Sequence, residues 1–253
     1  MTVQPGLDRG VAAVAATPGG WFVRLERRER ARARLYVFPH AGGGPGAVTA
    51  LAAALPETVE PWALNLPGRQ ARLDEPPRTD LGPLVTDLAR DLATQDAPGT
   101  YFGYCGGALL AYLVARQCPP ARLFVGSFAA PDVALVPRRL HLLPGARFWD
   151  VVLDQGGVPP ELAVPELRPV FEDALRADFA LYAGYHHRPA APLDVPITVL
   201  HGRRDTGLSR GGLLGWRRHT TSVPEWCALD TGHWLVDEAP HEVAAHLEAG
   251  VRR

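Results

Sequence analysis

The sequence predicts an α/β domain: a mostly parallel central sheet with helices on both faces and a helical insertion late in the chain. Three observations carry this. Between Leu35 and Phe128, short apolar runs alternate with helical ones in the order strand-helix-strand-helix-strand-helix-strand, the rhythm of parallel strands joined by crossover helices. Runs such as Leu35–Phe38 and Leu123–Phe128 are apolar throughout, as strands covered on both faces are. A proline-rich, helix-patterned stretch from Asp132 to Tyr185 then interrupts the rhythm before a strand resumes at Pro196, the mark of a lid-like insertion.

Residues 1–20 are rich in Gly, Ala and Pro without periodicity and are expected to be poorly ordered, leaving 21–253 as a single domain with its lid insertion at about 132–185. Trp21–Leu25 reads as a short edge strand. Arg24–Arg34 is basic but interrupted by Glu26 and Glu29, which fits a solvated loop; a docking surface for an acidic partner is the rival reading. Leu35–Phe38 is a buried strand leading into Pro39-His40-Ala41-Gly42-Gly43-Gly44-Pro45-Gly46, and Ala47–Leu55 is helical. A second strand falls near Trp62–Leu66. Asp80–Gln95 is a helix, because Leu81, Leu84, Val85, Leu88 and Leu92 share one face. Thr100–Tyr104 is a strand, and Ala108–Gln117 a helix ending before Pro119-Pro120. In the insertion, Ala146–Asp154, Pro165–Leu175 and Arg176–Gly184 have helical patterns. Pro196–Leu200 is a strand, Ser209–Arg218 a short helix, Glu225–Leu229 the last strand and Ala239–Ala249 the closing helix.

Composition narrows the function. A formal net charge of −1 offers no field to attract nucleic acid or an anionic membrane, so neither is an expected partner. All 26 basic residues are arginine, which excludes a lysine Schiff base, a Walker lysine and a lysine general base. Cys105, Cys118 and Cys227 are odd in number and lack C-x-x-C spacing, against a disulfide framework or a zinc site and in favour of a reducing cytoplasm. The N-terminus has no basic n-region, Val11–Ala16 is too short for a signal core, and no apolar stretch reaches membrane-spanning length. A soluble, cytoplasmic protein is expected.

The chemistry centres on Gly103-Tyr104-Cys105-Gly106-Gly107, between a strand and a helix. This is the G-x-S-x-G nucleophile elbow with cysteine in serine's place. A tight strand-to-helix turn strains the nucleophile's backbone, so its neighbours must be small. It also sets the sulfur at the positive end of the following helix, which favours thiolate. The plainer reading is a Gly-rich turn carrying an ordinary half-buried cysteine. Gly42, Gly44 and Ala47 formally satisfy the dinucleotide pattern G-x-G-x-x-A, but the second strand ends in Asn65-Leu66-Pro67 with no acid to hold a ribose. An oxyanion-hole loop explains those glycines better.

Asp205 follows a later strand and His233 the last one. Nucleophile, acid, histidine in that chain order is the α/β-hydrolase arrangement. Asp205 would fix the tautomer of His233, and His233 would take the Cys105 proton and return it to the leaving group. The alternatives are a surface-loop histidine and a turn aspartate capping the next helix. Asp230 and Asp237 are also close in sequence, but neither follows the penultimate strand. His186-His187 are adjacent and point apart. His241 and His246 are five residues apart, which excludes an H-E-x-x-H zinc helix; no metal site is expected.

With these residues on the page, the chain resembles the type II thioesterases, free-standing α/β-hydrolases of nonribosomal peptide and polyketide assembly lines. The likeness runs from about Trp21 to the C-terminal helix. It rests on Phe38-Pro39-His40-Ala41-Gly42-Gly43, Leu66-Pro67-Gly68-Arg69-Gln70-Ala71-Arg72, the elbow, Ala177-Asp178-Phe179, Leu193-Asp194-Val195-Pro196-Ile197 and Gly232-His233. The resemblance implies an acyl thioester on the phosphopantetheine arm of an acyl or peptidyl carrier protein, an oxyanion hole from the backbone N–H groups of Ala41 and Gly106, and a mobile lid over an acyl pocket. It also implies a cytoplasmic monomer with no bound cofactor, phosphopantetheine entering as part of the substrate. His40 is a candidate substrate contact; Tyr104 is expected to pack beside the elbow, with a substrate contact as the other reading.

The departure is at the elbow, which in the family usually reads G-H-S-M-G. The acid and histidine are retained, so Cys105 is read as a working nucleophile. Gly106, replacing a larger residue, is expected to widen the space beside the sulfur. A cysteine would keep the acyl group as an activated thioester, which raises an acyltransferase or amide- or lactam-forming reaction as the alternative to hydrolysis. A catalytically silent carrier-binding module is the alternative of another class. Arg203-Arg204, just before Asp205, read as solvated, or as a phosphate contact to the pantetheine arm.

Overall fold

In the computed structural model, which describes residues 15–154 and 164–251, seven strands form one sheet. They are β1 (Phe22–Arg24), β2 (Ala33–Phe38), β3 (Val59–Leu64), β4 (Thr100–Tyr104), β5 (Arg122–Gly126), β6 (Ile197–Gly202) and β7 (Glu225–Leu229). The order is β1-β3-β2-β4-β5-β6-β7. Only β1 runs antiparallel, against β3; the other pairs are parallel. The chain winds outward from β2 to β3, then returns to place β4 on the other side of β2. The carboxyl ends of β2 and β4 therefore form a topological switch point, where open α/β sheets bind ligands.

Eight α-helices are described: α1 (Thr49–Ala54), α2 (Leu81–Ala93), α3 (Gly106–Ala115), α4 (Gly145–Asp154), α5 (Arg168–Ala183), α6 (Arg210–Leu214), α7 (Leu235–Glu238) and α8 (Pro240–Val251). Strand residues alternate between two cores. Tyr36, Phe38 and Tyr101 face α2 and α3, while Leu35, Val37 and Phe102 face α1 and α8. Helices α4 and α5 lie between β5 and β6 in the chain, and with Leu140 of the preceding 3-10 turn they form a third, smaller core of Phe148, Trp149, Val152 and Leu175. They fall within the stretch 132–185 expected to form a lid, of which residues 155–163 lie outside the described residues.

Three expectations change. Pro165–Leu175 and Arg176–Gly184 are one helix, α5, entered through a 3-10 turn at Pro165–Leu167. No breaker separates the two halves, and Pro169 sits in the first turn, where its missing N–H costs no hydrogen bond. The basic stretch from Arg24 to Arg34 is not wholly solvated: Arg28 is buried. Its guanidinium donates to the carbonyl oxygens of Leu55 and Ala52 at the end of α1 and pairs with Glu26 at 2.7 Å. Of the N-terminal stretch expected to lack order, 1–14 lie outside the described residues, but 15–20 are pinned. Ala16 bridges Val23, the buried Thr17 hydroxyl bonds to Asp91 on α2, and Gly19 N–H donates to the same carboxylate at 2.6 Å.

Candidate active site

Strand β4 ends at Tyr104 and α3 begins at Gly106, so Cys105 alone makes the turn. Its backbone stands at φ 52°, ψ −129°, a conformation that costs an L-residue on the order of 1–3 kcal/mol and persists only where the surroundings impose it. They do so through Gly107. A Cβ there would lie 2.1 Å from the Phe38 carbonyl oxygen, so α3 and β2 meet at a distance only glycine allows.

His233 lies in the loop after β7. Its Nδ1 is 2.9 Å from Oδ2 of Asp205, whose side chain is 2% exposed and follows β6. The other Asp205 oxygen accepts the Gly207 N–H at 2.9 Å. The imidazole also interacts with the Cys105 thiol, by charge and by hydrogen bonding, and the Gly106 N–H lies within reach of the same sulfur. In space His233 stands between Cys105 and Asp205, although in the chain Asp205 comes between them. Burial by itself would push the thiol up, but the charge and hydrogen bond of His233 and the Gly106 N–H outweigh it and bring Cys105 down from its ordinary value. Burial likewise opposes protonation of His233, but the Cys105 charge and the Asp205 hydrogen bond push the imidazole up to about 10. Each group thus favours the charged form of the other.

Two supports of this arrangement left no signal in the sequence. Ser127, just past β5 with φ 48°, donates its hydroxyl to the His233 carbonyl oxygen at 2.7 Å and so holds the histidine loop. Trp234 packs its ring edge-to-face on the imidazole, centroids 5.2 Å apart.

A cavity of about 430 Å³ opens onto Cys105 and His233. Ala41 and Gly106 are among the residues that line it, with Cys105. Its far walls are apolar: Leu109 and Phe128 from the sheet side, Val152, Leu175 and Phe179 from the lid. Leu175, Phe179 and Tyr182 fall at helical spacing on one face of α5, so that a single helix forms much of the roof.

His40 and Tyr104 do not reach this cavity. Tyr104 is wholly buried, because the residue before the turn still belongs to β4 and faces the core shared with Phe102. Its hydroxyl donates to Asp237 at 3.4 Å. His40 is buried too, its ring 5.8 Å from that of Tyr104 and 5.1 Å from that of Trp234. Both stand behind the imidazole rather than in front of the sulfur. The space expected beside Gly106 is filled as well: Tyr182 from the lid helix lies over it.

The other candidates fall away from the site. Arg203 donates to the Ala228 carbonyl oxygen at 2.7 Å and Arg204 pairs with Glu238 at 3.0 Å, both across to the β7 end of the sheet. His187 stacks edge-on against His219, which is bonded to Tyr112 and Asp132, and His186 meets Arg138. Among the described residues no group of three or more His, Cys, Asp or Glu stands close enough to hold a metal ion, and no helix is long and apolar enough to cross a membrane.

The model of the family "Thioesterase domain" matches residues 33–250. The chain is 30% identical to the thioesterase PikA5 of Streptomyces venezuelae, over 89% of this chain and 83% of that one. It is 29% identical to the gramicidin S biosynthesis protein GrsT of Aneurinibacillus migulanus, over 88% and 90%. It is 38% identical to the AMB antimetabolite synthetase AmbE of Pseudomonas aeruginosa, matching 85% of this chain but spanning only 10% of that far longer protein. Among solved structures, the type II thioesterase BorB from the borrelidin cluster superposes with a TM-score of 0.84 at 26% identity, covering 92% of this chain and 98% of that one. The thioesterase RedJ from the prodiginine pathway of Streptomyces coelicolor superposes at 0.78 with 29% identity, covering 99% and 97%.

Proposed function

Because this chain belongs to the thioesterase family of α/β-hydrolases, we propose that it removes acyl groups held as thioesters on the phosphopantetheine arm of a carrier protein in a nonribosomal peptide or polyketide assembly line. The observation that carries the reading is Cys105, hydrogen-bonded to an Asp205-supported His233, at the mouth of an apolar cavity. The pathway comes from the relatives: GrsT is a gramicidin S biosynthesis protein and BorB a type II thioesterase of a biosynthetic cluster.

The Cys105 thiolate attacks the thioester carbonyl carbon. The negative oxygen that forms is held by the N–H groups of Ala41 and Gly106. When the intermediate collapses, the carbon–sulfur bond to pantetheine breaks, and the leaving thiolate takes the proton of His233. The acyl group now sits on Cys105 as a thioester. Neutral His233 next takes a proton from water, whose oxygen attacks the same carbon. Collapse of the second intermediate releases the carboxylic acid and restores thiolate and imidazolium. Asp205 keeps the imidazole in one tautomer and stabilises its charged form throughout. Phosphopantetheine is substrate here, not a resident cofactor.

The sulfur favours a second reading. Attack by serine would give an oxygen ester, whereas Cys105 gives another thioester, nearly isoenergetic with the substrate and reactive toward amines. Transfer to an amine or alcohol, or ring closure to a lactam, can follow on the same three residues. Intact-mass spectrometry with an acyl-loaded carrier protein tests both readings. Expected are an acyl adduct that is absent in Cys105→Ala, and free acid as product; an amide on adding candidate amines, lost in Cys105→Ser, selects transfer. A protein that forms no adduct, and whose Cys105 iodoacetamide alkylates no faster than Cys118 or Cys227, is a silent carrier-binding module.

A further inference from the structure

We infer that the buried Arg69–Asp178 pair is the positioning device for the oxyanion loop, so that the lid helix α5 and the loop carrying the Ala41 N–H work as one unit during acylation. This deepens the acyl-transfer reading above and rests on it.

Three distant parts of the chain meet at this pair. Arg69 lies in the loop after β3, Asp178 on α5, and the loop 40–44 follows β2. The guanidinium makes two parallel bonds of 2.8 Å to Oδ1 and Oδ2 of Asp178, with side-chain exposures of 7% and 3%. Each partner also holds the loop directly. Oδ2 of Asp178 accepts the Gly42 N–H at 2.6 Å, and Arg69 donates to the Gly43 carbonyl oxygen at 2.8 Å.

These bonds fix peptide planes rather than side chains. The Ala41 N–H shares its plane with the His40 carbonyl, whose oxygen accepts the Gly43 N–H at 2.9 Å. The next plane carries the Gly42 N–H that Asp178 holds. Both planes around the Ala41 donor are therefore set by a turn that the ion pair grips from outside. Gly42 stands at φ +78°, and a Cβ on it would come within 3.0 Å of the Leu175 side chain, so α5 also presses on the turn from the cavity side.

Stability alone does not explain such a pair, since well-packed apolar side chains commonly serve as well in a buried site. Apolar side chains could not accept the Gly42 N–H or donate to the Gly43 oxygen. An oxyanion donor is worth about 10²–10³ in rate, and small misplacements of catalytic groups are felt strongly.

The test uses the full-length chain, the octanoyl thioester of N-acetylcysteamine as acyl donor, and three readouts: acyl-enzyme formation by intact mass, iodoacetamide alkylation of Cys105, and thermal unfolding. Alkylation needs the thiolate but no oxyanion hole. Arg69→Met/Asp178→Leu is expected to unfold near the wild-type temperature and alkylate at the wild-type rate, yet acylate about 10- to 100-fold more slowly. Asp178→Asn, which keeps an acceptor for the Gly42 N–H, is expected to fall between the two; either variant, once folded, decides. Acylation within about twofold of wild type in a folded variant overturns the inference, as does alkylation falling in the same proportion as acylation. A wild-type protein that alkylates but never acylates overturns the acyl-transfer reading, and the inference with it.

Discussion

The ring of Tyr182 occupies the space that a side chain on Gly106 would need. A Cβ built on Gly106 would lie 2.7 Å from Cε2 and 3.2 Å from Cζ of that ring. The residue beside the nucleophile and the roof of the cavity are thus one packing problem, solved by a glycine below and a tyrosine above. Gly106→Ala should cost about 1–3 kcal/mol, because the buried ring must shift to make room for the added methyl. In Tyr182→Ala the same change should cost much less, with a coupling energy of about 0.5–3 kcal/mol. Denaturant unfolding of the four proteins measures it; additive costs would mean that the two residues do not touch.

The opposed shifts of Cys105 and His233 predict an unusual pH profile. Cys105 is lowered from its ordinary value by the His233 charge, while His233 keeps its proton until about pH 10. Iodoacetamide should therefore label Cys105 rapidly at neutral pH, with the rate falling only as acid protonates the thiolate. In His233→Asn the burial that opposes the thiolate is offset only by the Gly106 N–H, so the profile should move to higher pH, and labelling at pH 7 should slow by about 10²-fold or more. Peptide mapping of the labelled protein reads each cysteine separately. Equal profiles for the two proteins would refute the ion pair.

Asp205→Asn tests the acid. An amide can present its NH₂ to Nδ1 and stabilise the tautomer whose proton points at Cys105, and it carries no charge to support the imidazolium. We expect acylation to fall by about 10²–10⁴ with little change in unfolding temperature. Single-turnover acylation provides the number. A loss below about fivefold would assign Asp205 a merely structural part.

Chain-length preference should follow the roof. Phe179 lines the cavity from α5, and its ring packs edge-on against Phe148 of α4. Phe179→Ala lengthens the apolar wall. Each additional methylene that then finds cover adds about 0.8 kcal/mol, or about fourfold in kcat/KM. A series of acyl thioesters from acetyl to dodecanoyl should show its optimum shifted to longer chains. An unchanged optimum would mean that the acyl group does not run under α5.

Much of the site was legible because it is written in short-range constraints. The elbow needs glycines within two residues of Cys105, and the acid and the histidine must follow successive strands; each rule leaves its trace locally. The supports are not local. Arg69 and Asp178 are 109 residues apart and touch only because β3 and α5 converge. Ser127 reaches the His233 carbonyl across 106 residues, and any small polar residue would have looked the same at that position. The misplacements have the same origin. His40, a candidate substrate contact by sequence, packs beside Tyr104 and Trp234, and the two-residue repeat of β4 turns Tyr104 into the core, the packing role its place beside the elbow suggests. Arg28 sits among arginines that suggested solvent, yet the open carbonyls at the end of α1 draw it inward.

By itself, the sequence determined the class of fold, the succession of strands and helices along the chain, and the nucleophile, acid and histidine candidates. These follow from hydrophobic periodicity, turn chemistry and the direction of parallel strands, all properties of neighbouring residues. Only the tertiary structure decided what encloses the sulfur: a tyrosine over Gly106, an ion pair gripping the Ala41 loop, and an acyl-sized cavity roofed by α5. Those depend on how a helix from an insertion docks on a distant loop, and packing between elements far apart in the chain has no period to betray it.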